Sequence, residues 1–421
     1  TMNHETQTLV IGGGAIGISS AFYLTRLGKQ ITVIEKGEIC SGSSHGNAGL
    51  IVPSHSIPLA APGVITQGLK WMFDPESPFY IKPRFDRDFF SWLWKFRGAC
   101  SEANVSRALP VLSELNAVSL ELFDKLAALE GVDFNYEKKG VVQVFKTRKE
   151  FDKGVEESRR LQEYGVESRV LKNDELAPYC SHMRTAGAGG LFFPQDAQLI
   201  PDRFVHQLAS HVEKIGVDLL TATEVIGFEI SGRKVIAAKT TRGDIAVDEV
   251  ILAGGSWSGD LARELGIKLW MEPAKGYSVT FKRPPSCPDI PVMLAETKVV
   301  LTPMDDMLRV AGTLELAGFD MSINNRRLRA VLNAVPAYFP DFKPNDLELI
   351  EIWRGLRPCS PDGLPYLGRP RRYDNVIIAT GHGMKGISLA PVTGKLVAQL
   401  AANENPQIDL NVLSIERFES H

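Results

Sequence analysis

Three glycines spaced Gly12-x-Gly14-x-x-Gly17 constrain this chain more than any other feature. A short apolar, β-branched run, Leu9–Ile11, leads into them. An amphipathic stretch follows from Ala15 to Leu27 and stops at Gly28. A second β-branched run, Ile31–Ile34, closes on Glu35. Strand, turn, helix and strand in that order are the βαβ unit of a dinucleotide fold. The three glycines play different parts. Gly12 permits the tight turn, Gly14 lets the backbone approach a pyrophosphate, and Gly17 seats the helix on the strand. The helix N-terminus then offers free N–H groups to the phosphates. Glu35 stands where a carboxylate accepts ribose hydroxyls, which disfavours a 2′-phosphate and leaves FAD or NAD.

The 421 residues suffice for two or three domains. Hydrophobic residues make up 44% and charged residues 23%, so the core needs no disulfide or metal staple. Lys and Arg number 47 against 50 acids, a net charge of −3 that makes no case for nucleic acid. Cys40, Cys100, Cys180, Cys287 and Cys359 form no CxxC pair, so no metal site is expected and a reducing compartment is the simpler reading. The first residues, TMNHE, lack the basic-then-apolar pattern of a signal peptide. No uncharged apolar run approaches the roughly 18 residues of a spanning helix. The expected location is cytoplasmic, with contact at the inner membrane surface left open.

Three further segments separate FAD from NAD. Cys40–Gly49 is small, polar and glycine-rich, as for a backbone running along a long cofactor; a flexible surface loop is the alternative. Residues 250–259, VILAGGSWSG, are an apolar run broken by glycines, a strand end where backbone crosses close to a ligand. Residues 376–386, VIIATGHGMKG, repeat the pattern and lead into a helix starting near Gly386, whose positive end suits the N1–O2 edge of a flavin. Three glycine-bearing strand ends suggest one sheet folded from both ends of the chain.

These segments are joined by Ala60-Ala61-Pro62-Gly63, Lys70-Trp71-Met72-Phe73, Lys275-Gly276-Tyr277-Ser278, Arg309-Val310, Gly355-Leu356-Arg357-Pro358, Pro361-Asp362-Gly363 and Thr380-Gly381-His382-Gly383. In that order, over almost its whole length, the chain resembles the D-amino-acid oxidase superfamily of flavoproteins. It is most similar to the branch of bacterial D-amino acid dehydrogenases of the small-subunit type. The resemblance implies an α/β (mixed α+β) fold, a Rossmann-like FAD-binding domain interleaved with a mixed-sheet substrate domain. The expected division is residues 1–80, 195–264 and 351–421 for FAD, and 81–194 with 265–350 for substrate. It implies FAD contacts at Gly12, Gly14, Ala15, Ile16, Gly17, Glu35, Lys36, Ser43, Ser44, Asn47, Ala48, Gly49, Leu50, Val225, Ala253, Gly254, Trp257, Arg357, Gly383, Met384, Lys385, Gly386 and Ile387. Some relatives attach flavin through a cysteine; the corresponding position here is Gly355 and Cys359 is offset, so non-covalent FAD is expected.

Arg357, between a strand and a Pro/Asp/Gly turn, suits bidentate capture of a carboxylate. Pairing with Asp362 is its structural alternative. The matching arginine in relatives grips the amino-acid carboxylate. Tyr277 is the second candidate contact, or else a core tyrosine at a strand edge. Arg309 is either a pocket residue or a solvated strand charge. His55, Met384 and Lys385 are weaker pocket candidates, and His382 either touches flavin or fills its turn. The activity so implied is oxidative deamination of a D-amino acid, or of a cyclic or N-alkyl one such as D-proline or hydroxyproline. Hydride leaves Cα for flavin N5, and the imino acid hydrolyses to a 2-oxo acid. A quinone or dye-type carrier is the implied electron acceptor. An oxygen-using oxidase and a non-catalytic flavoprotein subunit stay open as other readings.

Residues 71–96 hold three of the six tryptophans and six of the twenty phenylalanines, interleaved with Lys82, Arg84, Arg87 and Lys95. Aromatic and basic residues together suit a membrane interface. A helix packed on the substrate domain is the other reading.

Overall fold

The computed structural model describes residues 4–72, 77–180 and 184–419. The run ending at Ile11 forms the strand His4–Ile11, with Leu9 and Val10 wholly buried. Ile31–Ile34 and Gly243–Leu252 flank it in parallel. Strands covered on both faces read as continuous apolar runs rather than as alternation. Helix Ala15–Leu24 makes the crossover and packs on helix Ala390–Ala401; both are buried on nearly every side.

This first sheet runs Val225–Ser231, Lys234–Thr240, Gly243–Leu252, His4–Ile11, Ile31–Ile34, Asp218–Leu220. Val376–Thr380 lies parallel against Gly243–Leu252. Ile11 stands opposite Leu252, and Leu252 opposite Ile378. The glycines after all three strands therefore emerge together at one end of one sheet, as their repetition in the sequence suggests.

Among the described residues the second, mixed sheet has nine strands, with Leu349–Cys359, Glu272–Lys282 and Met307–Leu316 side by side and antiparallel. Val299–Met304, Val292–Leu294, Val141–Phe145, Gly189–Phe193 and Arg169–Leu171 extend it. Its inner face buries a second core around Val279, Val310 and Phe339.

Two segments pack differently from the expected division. Residues 351–359, assigned by their motif to the cofactor part, lie in the strand Leu349–Cys359, an outer strand of the second sheet. Helix Glu102–Ala127, assigned to the substrate part, buries Leu112, Leu115 and Phe123 against the helices of the first sheet. The C-terminal helix begins at Ala390 rather than near Gly386. Pro391 in its first turn suits a helix start, and a short turn, Gly383–Lys385, takes up the intervening residues.

Candidate active site

Between the two sheets lies a cavity of about 1260 Å³, larger than the roughly 300–1,000 Å³ of a typical small-molecule site. One end is the glycine turn. Gly12 has φ +120°, and a Cβ there would sit 2.5 Å from the Ala253 carbonyl oxygen. A Cβ on Gly17 would sit 1.8 Å from the Gly12 oxygen, so the helix cannot approach the strand with any larger residue. Gly14 caps the helix with no side chain, and Gly14, Ala15 and Ile16 border the cavity. An open helix end of this kind has the free N–H groups that a pyrophosphate accepts. Glu35 accepts the Gly13 N–H at 2.8 Å and the Gly37 N–H at 3.0 Å, one per oxygen. The carboxylate is thereby fixed at the cavity wall with lone pairs left for a sugar. Lys36 lies 3.6 Å over the Trp257 ring, and burial lowers its pKa against the pull of Glu224, Glu35 and Asp260. Val225, Ala253 and Gly254 complete this end.

The Ser43–Leu50 loop is stitched along the cavity. Ser44 Oγ accepts from the Ala15 N–H at 3.1 Å, and Ser43 Oγ donates to the Leu356 carbonyl. Asn47 Oδ1 accepts the Gly49 N–H at 2.8 Å, closing a local turn, and Ala48 O accepts from Thr302 Oγ1 at 2.8 Å. Ser43, Ser44, Asn47, Ala48 and Leu50 border the cavity. Gly17 and Gly49 do not border it; both serve close packing, since a Cβ on Gly49 would meet the Leu199 oxygen at 2.2 Å.

Arg309 corrects an expectation. It is 2% exposed and does not border the cavity. Its Nη1 donates to the His45 and Asn47 carbonyls at 3.0 and 2.9 Å, and its Nε to Thr280 Oγ1 at 3.1 Å. The guanidinium holds the loop carrying His45 and Asn47 to the second sheet. It is neither a substrate contact nor a solvated charge.

Arg357 occupies the opposite end of the cavity. Its guanidinium lies flat on Gly276, where a Cβ would come within 2.2 Å of Nη1 and Nη2. Nη1 donates to the Thr313 carbonyl at 2.7 Å. Among the described residues it has no carboxylate partner. Asp362, the structural alternative, is held instead by Arg417 at 2.9 Å and Arg107 at 3.1 Å. Burial lowers the Arg357 pKa, yet an arginine stays charged. A fixed, unpaired guanidinium facing a cavity is a receptor for a carboxylate.

Tyr277 is the second correction. Arg357 pairs with Ala274 in register and shares the sheet face of Gly276. Strand alternation puts Tyr277 on the other face. Its hydroxyl donates to Glu315 at 3.2 Å and accepts the Asn324 N–H at 3.1 Å. Lys275 joins the same buried group, 3.3 Å from Glu315. Tyr277 thus touches the cavity wall without turning its hydroxyl to a ligand beside Arg357.

Thr313 is a residue that sequence reasoning missed. It has φ +63°, a left-handed conformation that a β-branched residue avoids. That twist aims its carbonyl at Arg357, and its buried hydroxyl finds no hydrogen-bond partner among the described residues. Trp353 was also missed. Its indole lies over Gly46 and Gly355, where added Cβ atoms would meet it at 2.0 and 1.9 Å. Two glycines facing a tryptophan from opposite ends of the chain give no local signal.

His55 borders the cavity with Nε2 3.1 Å from the Met293 sulfur and Nδ1 3.4 Å from Ser54 Oγ. Burial, then Lys385 and Lys298, push its pKa down to about 4, so it is neutral. His382 fills its turn, 3.0 Å from Thr393 Oγ1. Met384 is exposed at the mouth, while Gly383, Lys385, Gly386 and Ile387 line the wall. Burial pushes Lys385 down to about 8.

The family model described as DAO, FAD dependent oxidoreductase, matches residues 7–400. The chain is 32% identical over 418 residues to a D-amino acid dehydrogenase of Granulibacter bethesdensis, covering 98% of this chain and 99% of that one. Its fold matches glycine oxidase from Geobacillus kaustophilus with a TM-score of 0.80 at 24% identity, over 99% of each chain. It matches L-proline dehydrogenase from P. horikoshii with a TM-score of 0.79 at 20% identity, again over 99% of this chain and 99% of that one. The glycine turn, the fixed Glu35 and the open helix end fit FAD in residues of this chain as well as in its likeness to others. The chain belongs to the DAO family of FAD-dependent oxidoreductases.

Proposed function

We propose that this protein is an FAD-dependent D-amino acid dehydrogenase that converts a D-amino acid to its imino acid, which water then hydrolyses to a 2-oxo acid. A cyclic or N-alkyl D-amino acid is within the same chemistry. The single observation that carries this reading is Arg357, a fixed, half-buried guanidinium free of any carboxylate among the described residues and facing the cavity. Relatives named D-amino acid dehydrogenase, similar along the whole chain, support the choice of substrate.

Bound FAD supplies the electron sink. Gly12, Gly14, Ala15 and Ile16 would hold its pyrophosphate, Glu35 its ribose, and Lys385 to Ile387 the wall beside its ring. Arg357 would hold the carboxylate in one orientation, which fixes where the Cα–H bond points. Burial pushes the Cys359 thiol up to about 12, which supports non-covalent FAD because a thiol, unlike a thiolate, is a poor nucleophile. The first sheet would form the cofactor part and the second the roof over the substrate.

A membrane carrier, such as a quinone, is the proposed electron acceptor. Helix Arg87–Ala99 buries Phe89 and Trp92 but exposes Phe90 and, at 72%, Trp94; Phe85 before it is fully exposed. Arg97 stands over Trp94 at 5.5 Å. Aromatic and basic side chains on one exposed helix face support peripheral membrane contact. Residues 73–76 of the stretch, with Phe73 of its motif, lie outside the described residues. Among the described residues no helix is long and apolar enough to cross a membrane. The experiment that tests the function is anaerobic. D- and L-amino acids, D-proline and sarcosine are added in turn to the yellow protein. Bleaching of the visible flavin band by D-amino acids is the expected result, and bleaching by none of them overturns the assignment.

A further inference from the structure

The two ends of the cavity differ in charge. At the nucleotide end, Glu35, Glu224 and Asp260 surround Lys36. At the far end stand Arg357 and Lys385, with His55 between Lys385 and Lys298. Lys298 feels Glu157, Glu150 and Glu296, against Lys153. The Lys385 side chain is half-buried, lines the cavity and, among the described residues, its ammonium makes neither a hydrogen bond nor an ion pair. Asp196, the buried carboxyl behind this wall, is turned away, with its oxygens taken by the Ser54 N–H and hydroxyl.

A half-buried cation that faces a cavity without a counter-ion favours an anionic ligand there. An ordinary amino acid brings one carboxylate, and Arg357 has the planar fork to take it. That leaves Lys385 unbalanced. We propose that the D-amino acid this cavity accepts carries a second carboxylate on its side chain, and that Lys385 receives it. The inference rests on the D-amino acid reading above and names its substrate class. His55 lines the same stretch of wall and, being neutral, does not compete with the ammonium, while Lys298 on its other side has acids of its own. The reaction at Cα is unchanged; the acid side chain sets specificity.

The test uses the FAD-loaded protein and two five-carbon probes, glutarate and valerate, whose Kd values come from perturbation of the visible flavin spectrum. Glutarate is expected to bind at least about tenfold tighter, and Lys385→Met to erase that preference while Lys385→Arg retains it. In turnover, the ratio of kcat/KM for D-glutamate over D-norvaline is expected to fall about tenfold or more in Lys385→Met. An equal loss for both substrates assigns Lys385 to the cofactor or the α-carboxylate and overturns the proposal. So does wild-type protein that binds glutarate no tighter than valerate, a result independent of any variant's folding. Tight glutarate binding with no bleaching by any D-amino acid keeps the dianion site and removes the D-amino acid reading instead.

Discussion

Arg357 Nη1 donates to the carbonyl of Thr313 at 2.7 Å, and Thr313 presents that carbonyl from a left-handed backbone, φ +63°. A non-glycine residue held there costs on the order of 1–3 kcal/mol. The strain fixes the orientation of the guanidinium on which capture of the α-carboxylate depends. Thr313→Gly is therefore expected to raise stability by about 1 kcal/mol, read from urea midpoints, because glycine adopts this conformation freely. The same variant is expected to lose roughly tenfold in kcat/KM as the carbonyl loses its fixed aim. A destabilised variant with full activity would leave the strain without a function.

Arg357→Lys keeps the charge but not the planar fork. About a hundredfold loss in kcat/KM is expected, mostly in KM, since a lysine offers a point charge rather than two parallel donors. Steady-state kinetics against a D-amino acid would check this, and near wild-type constants would mean the carboxylate is held elsewhere.

Gly12→Ala places a Cβ 2.5 Å from the Ala253 oxygen at a φ of +120°. The turn must open, and with it the pyrophosphate site. The purified variant is expected to be colourless or to release FAD on gel filtration, measured as the ratio of flavin to protein absorbance. A fully yellow variant would place the cofactor elsewhere.

Acid should weaken the fold. Burial holds His55 near 4 and His382 near 3, against the usual value of about 6.5 in an unfolded chain. As pH falls through 6.5, the unfolded chain takes up protons that the folded one refuses, so both histidines lose their contribution. Asp196 works oppositely. Burial raises it to about 7, so the folded protein keeps a proton that the unfolded chain releases above about 4, and this contribution fades as pH rises through 7. Two groups oppose one, and stability should fall from roughly pH 6.5 to 4.5 by about 1 kcal/mol per unit. Urea midpoints across that range should steepen in Asp196→Asn and flatten in His382→Gln. The reverse order would contradict these assignments.

Trp94→Ser with Phe90→Ser should reduce sedimentation with anionic vesicles several-fold without changing dye-coupled turnover, because neither residue lines the cavity. Unchanged sedimentation would make the exposed aromatics irrelevant to membranes.

Local signals are the legible ones in this sequence. The Gly12–Gly17 turn, the Glu35 strand end and the glycines at 254 and 381 each combine backbone freedom with a flanking apolar run, and the sheet gathers all of them. Arg357 is legible from its turn and its resemblance. What cannot be read is which face a side chain takes in a strand buried on both sides. Lys275, Tyr277, Arg309 and Glu315 all sit in such strands. Periodicity gives no cue there, so the sequence leaves Tyr277 between substrate contact and core, and Arg309 between pocket and solvent, whereas one belongs to a buried network and the other to the loop. Thr313 is hidden for a related reason: nothing in Gly-Thr-Leu marks a left-handed threonine. The break before the last helix comes from Pro391, which outweighs the glycines ahead of it.

The most direct test of the central claim is anaerobic stopped-flow mixing of the yellow protein with a D-amino acid, in the wild type and in Arg357→Ala. The account predicts rapid bleaching in the wild type, one 2-oxo acid formed per flavin, and bleaching slowed at least about a hundredfold in a variant that stays yellow. Equal bleaching rates in the two proteins would contradict it, because the carboxylate would then owe nothing to Arg357.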